Sequence, residues 1–254
     1  MIPTIILITG IIIGSFLNVC IYRIPREESI VFPSSHCTSC GTGLKSWDLV
    51  PVFSYLFNRG KCRYCGEKIS PQYPIIEVLN GLLYLLLYLQ FGLSVRFITF
   101  AIITSILLII TIIDYKTLTI PNGLVLLILT ISLAYQTYQS FNNQSLSLLL
   151  SPLLSMFLGG GILLLIAVVT KGAMGGGDIK LMGALGLLLG IKYTVLTLFL
   201  SFVVGGIISV ILLISKIKKR GQAIPFGPFI ALASFISMVW GQGILDWYFN
   251  TMFL

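Results

Sequence analysis

Eight apolar blocks divide this chain, at roughly residues 2–22, 75–91, 97–113, 123–137, 148–170, 179–191, 193–215 and 228–249. Each runs to about 13–23 residues, close to the roughly 20 needed to cross the hydrocarbon of a bilayer. Only 9% of the side chains are charged and 57% are hydrophobic, whereas an ordinary globular chain carries about 25% charged residues. In lipid, a helix is the segment that satisfies its own backbone hydrogen bonds. The expected fold is therefore an all-α polytopic membrane protein of about eight transmembrane helices, the sixth being the shortest. The first block, Ile2 to Tyr22, lacks a basic leading segment and a small-residue cleavage site. It is expected to be a span and not a cleavable signal.

Lysine and arginine fix the expected orientation, because they gather on the cytoplasmic side. With the N-terminus outside, the inner segments hold Arg23, Arg26, Lys45, Arg59, Lys61, Arg63, Lys68, Lys116, Lys171, Lys180, Lys216, Lys218, Lys219 and Arg220, and the outer ones only Arg96 and Lys192. The opposite orientation reverses that 14-to-2 count. The net charge of +8 is thus a topology signal and no nucleic-acid footprint. Both termini are expected outside. The polar segment Gln136 to Ser145 carries no charge, as an external loop can. The cluster Lys216 to Arg220 is expected to anchor to anionic lipid.

The one sizeable polar piece is the cytoplasmic loop from Arg23 to Pro74. It holds Cys37-Thr38-Ser39-Cys40 and Cys62-Arg63-Tyr64-Cys65, 21 residues apart, each pair followed by a glycine, Gly41 and Gly66. Two such pairs suit a closed tetrahedral Zn2+ site with Cys37, Cys40, Cys62 and Cys65 as ligands. A disulfide framework is disfavoured in a reducing compartment, and four free or redox cysteines are the alternative. A structural zinc supplies stability that so small a loop cannot draw from its own core. His36 adjoins Cys37 but reads as a surface residue, and Cys20, alone in an apolar block, reads as packing. Glycines at Gly159 to Gly161 and at Gly205-Gly206 read as close helix contacts.

Two carboxylates stand out against this background. Asp114 closes the third block going inward, and Asp178, in Gly175-Gly176-Gly177-Asp178-Ile179-Lys180, opens the sixth coming back out. An ionisable group at a membrane span is costly and is a functional candidate by default. Lysine counting alone brings both to the cytoplasmic face. Capping explains Asp178 but not Asp114, which sits where the helix dipole disfavours negative charge. Two carboxylates in one site share a proton, so one serves as base toward water and the other as acid toward a carbonyl. The single histidine lies in the cysteine loop, and an HExxH motif is absent. Lys180 either biases the pair toward ionisation or marks the positive-inside boundary.

The ordered set of motifs resembles the bacterial type IV prepilin peptidases, membrane aspartic proteases with a Gly-x-Gly-Asp motif. The matching stretches are Gly14 to Pro25, the cysteine tetrad with Tyr73-Pro74 and Glu77 behind it, Asp114 with Ile120-Pro121-Asn122, Gly175 to Asp178, and Ile224 to Phe229. The resemblance implies Asp114 and Asp178 as the catalytic pair, with Gly175, Gly177 and Lys180 as motif support. It implies cleavage, after a glycine and at the cytoplasmic face, of the short basic leader of prepilin or pseudopilin substrates. It also implies N-methylation of the new N-terminus from S-adenosylmethionine, for which Glu77 and Asn18 are candidates by location. The domains expected are a first helix (1–22), a cysteine-rich loop (23–74) and a seven-helix peptidase core (75–254) in a bacterial inner membrane. A carboxylate-relay transporter predicts polar residues deep within several spans and broken helices at midplane, whereas this chain keeps its carboxylates at the inner boundary. A non-catalytic zinc adaptor predicts that Asp→Asn changes are silent. A related Gly-x-Gly-Asp protease of other membrane helices is disfavoured by the cysteine loop and the opening signature.

Overall fold

The computed structural model describes residues 1–144, 149–219 and 222–252. The first residue of the fifth expected span, Ser145 of the polar segment and Arg220 of the basic cluster lie outside the described residues. Eight α-helices are described: α1 (Ile2–Arg23), α2 (Phe53–Phe57), α3 (Gln72–Phe91), α4 (Val95–Thr117), α5 (Asn122–Asn142), α6 (Leu150–Val169), α7 (Gly176–Ile214) and α8 (Gly227–Met252). All but the five-residue α2 are long and apolar enough to cross a membrane. The chain forms two units, Met1–Ile109 and Ile110–Leu254.

In the first unit α1 and α3 run antiparallel at backbone contact. A Cβ on Gly10 would lie 2.8 Å from Gly81 Cα, and one on Gly14 would lie 2.7 Å from Glu77 Cα. Gly10 and Gly14 are four apart on one face of α1, the small-residue spacing that lets membrane helices approach. Asn80, fully buried, donates to the Gly10 carbonyl at 2.7 Å and accepts from Ser105 at 3.0 Å. Cys20 is buried in α1, as expected.

The cysteine loop is two copies of one knuckle, a repetition that the sequence reading does not contain. In the first, Cys37 N–H donates to Thr42 O (3.0 Å) and Gly41 N–H to Cys37 O (2.8 Å); in the second, Cys62 N–H donates to Glu67 O (2.7 Å) and Gly66 N–H to Cys62 O (2.9 Å). Each is closed by an isolated bridge, His36 with Gly43 and Lys61 with Lys68. Gly41 and Gly66 adopt φ of 71° and 74°, left-handed turns that glycine enters without steric cost.

The second unit settles how the sixth and seventh apolar blocks relate. Both belong to the 39-residue α7, yet Gly190, at φ 74° and ψ 169°, is not helical. The chain reverses there. A Cβ on Gly186, before the break, would lie 2.5 Å from the Ser155 carbonyl, while Thr194, after it, hydrogen-bonds the Ser155 hydroxyl at 2.7 Å. Seven membrane-length helices thus contain the eight expected apolar segments, two of them joined without a loop. The break strips partners from the carbonyls of Leu187 and Leu188, and the Gln136 amide donates to both, at 3.0 and 2.9 Å. Of the glycines expected at helix contacts, Gly159, Gly160 and Gly205 meet a neighbour, whereas Gly161 and Gly206 face nothing within 4 Å.

Candidate active site and metal site

Three chain segments deliver the aspartate site. Asp114 lies in the last turn of α4, 4% exposed. Its Oδ2 accepts the backbone N–H of Gly227, the first residue of α8, at 3.0 Å. Asp178 lies in the first turn of α7, 8% exposed, and is close enough for the charge on Asp114 to act on it. Among the described residues its buried Oδ1 has no hydrogen-bond partner. Such a group is costly unless something polar is meant to meet it. Ile120 packs against the glycines beside both carboxylates: Cβ atoms built on Gly177 and Gly227 would lie 2.9 Å from Ile120 Cβ and 3.3 Å from Ile120 Cδ1.

The sequence-predicted residues fall as follows. Asp114, Asp178, Gly175 and Gly177 share one site. Lys180 stands beside it, where its ammonium donates to Asn122 Oδ1 at 3.1 Å and so ties the Ile120-Pro121-Asn122 turn to α7. Gly227 was legible only within the Ile224 to Phe229 match, because it contributes a backbone amide and no side chain.

The four knuckle cysteines also converge, with all their sulfurs within 4.8 Å of one another and Cys37 Sγ 3.9 Å from Cys65 Sγ. A tetrahedron with metal–sulfur bonds of about 2.3 Å sets its sulfurs about 3.8 Å apart, so this cluster fits a metal with little contraction. None of the four is in a disulfide. Hydrogen bonds with the Thr42 side chain and backbone pull the Cys40 thiol down to about 6, favouring the thiolate that binds metal. Glu77 and Asn18 lie on the wall of a cavity that they share with Cys37 and Cys62.

Residues 8–91 match the model of the bacterial peptidase A24 N-terminal domain, and residues 101–210 that of the type IV leader peptidase family. Prepilin leader peptidase/N-methyltransferase of Bacillus subtilis (strain 168) is 32% identical over 252 residues, covering 96% of this chain and 97% of that protein. The chain belongs to the type IV leader peptidase family. Namesakes from Pseudomonas putida and Legionella pneumophila are each 32% identical, over 95% and 93% of this chain and 91% and 90% of theirs. No solved structure matches it significantly. In this family member Asp114 and Asp178 belong to the second unit and the cysteine cluster to the first.

Proposed function

We propose that this chain is a membrane aspartic endopeptidase that removes the short basic leader of prepilin or pseudopilin proteins at the cytoplasmic face, with Asp114 and Asp178 as its catalytic pair. The observation that carries this reading is a pair of buried carboxylates, Asp114 in the last turn of α4 and Asp178 in the first turn of α7, near enough for the charge on one to act on the other. Two carboxyl groups in one site share a proton. The ionised member takes a proton from water, the water attacks the scissile carbonyl, and the protonated member gives its proton to the carbonyl oxygen; the proton then passes to the leaving amine. The Gly227 amide fixes one oxygen of Asp114 against the start of α8. The cytoplasmic placement rests on the 14-to-2 lysine and arginine count, as does the placement of both termini outside a bacterial inner membrane.

In the cysteine loop, Cys37, Cys40, Cys62 and Cys65 would hold Zn2+. Four protein ligands leave no open position, so the ion orders the loop and activates no water. When bound, S-adenosylmethionine supplies an activated methyl group for the amine that cleavage frees.

The test compares wild type, Asp114→Asn and Asp178→Asn on a prepilin-type substrate with methyl-labelled S-adenosylmethionine, in detergent or liposomes. Each single change is expected to abolish leader removal in a folded protein, with label appearing on the new N-terminus of wild-type product. Cleavage by both variants overturns the peptidase assignment; cleaved but unlabelled product overturns the methyltransferase one.

A further inference from the structure

We infer that the cavity roofed by the cysteine loop is the site of the sulfonium methyl donor, with Glu77 as its counter-charge. The inference rests on the methyltransferase reading above. The cavity measures about 390 Å³, within the roughly 300–1,000 Å³ of small-molecule sites. Its floor comes from α1 and α3, including Asn18 and Glu77, and its roof from the loop, including Cys37 and Cys62.

Glu77 is the unusual group there. It is 5% exposed and is the one charged residue of α3. Its Oε2 accepts the Val52 N–H at 2.7 Å, with the Ser15 hydroxyl also beside it. Among the described residues no lysine or arginine pairs with it. Arg23, a buried cation on the same cavity wall, spends its guanidinium on the carbonyls of Ser29, Pro33 and Ser34. Asp48, another cavity carboxylate, already has Arg63 at 3.8 Å and the Tyr64 hydroxyl at 2.9 Å. Buried charges are paired as a rule, and among the described residues Glu77 has no cationic side chain against it, on the wall of a cavity of ligand size. A sulfonium supplies the cation. Tyr55 and Tyr73 line the same cavity, and aromatic faces attract onium groups and stack with nucleobases.

The wall is also held in place. Val52 adopts φ 63° and ψ −52°, a region that β-branched residues avoid, and the bond from its N–H to Glu77 pins it there. Cys37 and Cys62 belong to both the metal cluster and the cavity, so metal binding shapes the site that the donor enters.

The rival role for Glu77 is a cap for Val52, and Glu77→Gln separates the two, because the amide oxygen keeps the acceptor and loses the charge. Binding of S-adenosylmethionine and of S-adenosylhomocysteine, its uncharged thioether, is measured on the full-length protein by equilibrium dialysis, with zinc content as the folding control. Glu77→Gln is expected to retain one zinc per chain and to weaken S-adenosylmethionine by about tenfold or more, while S-adenosylhomocysteine weakens by less than about threefold. Equal weakening of both ligands, or of neither, in a wild-type protein that methylates overturns the assignment. A wild type that binds no donor and transfers no label removes the methyltransferase reading and this site with it.

Discussion

The glycines before Asp178 are not equivalent. A Cβ on Gly175 would lie 2.8 Å from Asp178 Oδ2, and one on Gly177 would lie 2.9 Å from Ile120 Cβ, while Gly176 faces nothing within 4 Å. On α8, a Cβ on Gly227 would lie 2.7 Å from Asp114 Oδ2. Displacing a reacting group by about 1 Å costs on the order of 100-fold in rate. Gly175→Ala, Gly177→Ala and Gly227→Ala are therefore each expected to lower leader cleavage by about that factor, and Gly176→Ala by less than about twofold. Initial rates on one substrate decide it: if Gly176→Ala is as damaging as its neighbours, close approach is the wrong reason for the motif. The aspartates and cysteines were legible in the sequence because their chemistry needs those side chains at their own spacing. The Gly227 amide was not, since every residue but proline carries one and only the fold aims it. The Lys180 partner was hidden likewise, because Asn122 is 58 positions away.

At the scale of elements, α7 carries the most information. Gly190 has no neighbour within 4 Å of a built Cβ, so space does not demand glycine there. Its φ 74° and ψ 169° do, being a region essentially confined to glycine, with a cost of about 1–3 kcal/mol for other residues. The Leu187 and Leu188 carbonyls depend on Gln136, and leaving a buried acceptor unmet costs about 1–3 kcal/mol. Gly190→Ala and Gln136→Leu are each expected to lower the apparent melting temperature in detergent by several degrees. An unchanged melt for Gln136→Leu means that those carbonyls find another partner. The apolar blocks foretold eight segments because hydropathy registers length and composition. It cannot register that two segments follow each other with no loop, nor which face of α1 holds Gly10 and Gly14. The repeated knuckle is not legible in the sequence beyond its recurring cysteines and following glycines, because its geometry lies in backbone hydrogen bonds.

At the scale of the whole molecule, the two chemistries use different residues, and metal removal is expected to part them. The described partners of Asp114 and Asp178 lie within Ile110–Leu254, and the metal cluster within Met1–Ile109. Chelation that strips zinc is expected to abolish donor binding while slowing leader cleavage by less than about tenfold. Zinc analysis beside both assays checks this, and equal loss of the two activities contradicts it.

The reversal at Gly190 also decides where the chain ends. A straight helix of 39 residues would span about 58 Å, nearly twice the roughly 30 Å hydrocarbon thickness. Yet Asp178 at the start of α7 and Gly227 at the start of α8 belong to one site with Asp114. The chain therefore leaves that site at Gly176, turns at Gly190 and comes back before Gly227, an even number of crossings. Seven straight spans would set the two termini on opposite sides; with α7 crossing twice, they fall on the same side. The proposed orientation, from the lysine and arginine count, has that side as the outer one. An alkaline phosphatase fused to the C-terminus is thus expected to be active, and a fusion after Lys171 inactive. An inactive C-terminal fusion, with the Lys171 fusion also inactive, means that α7 crosses only once, and the reversal at Gly190 is then wrong.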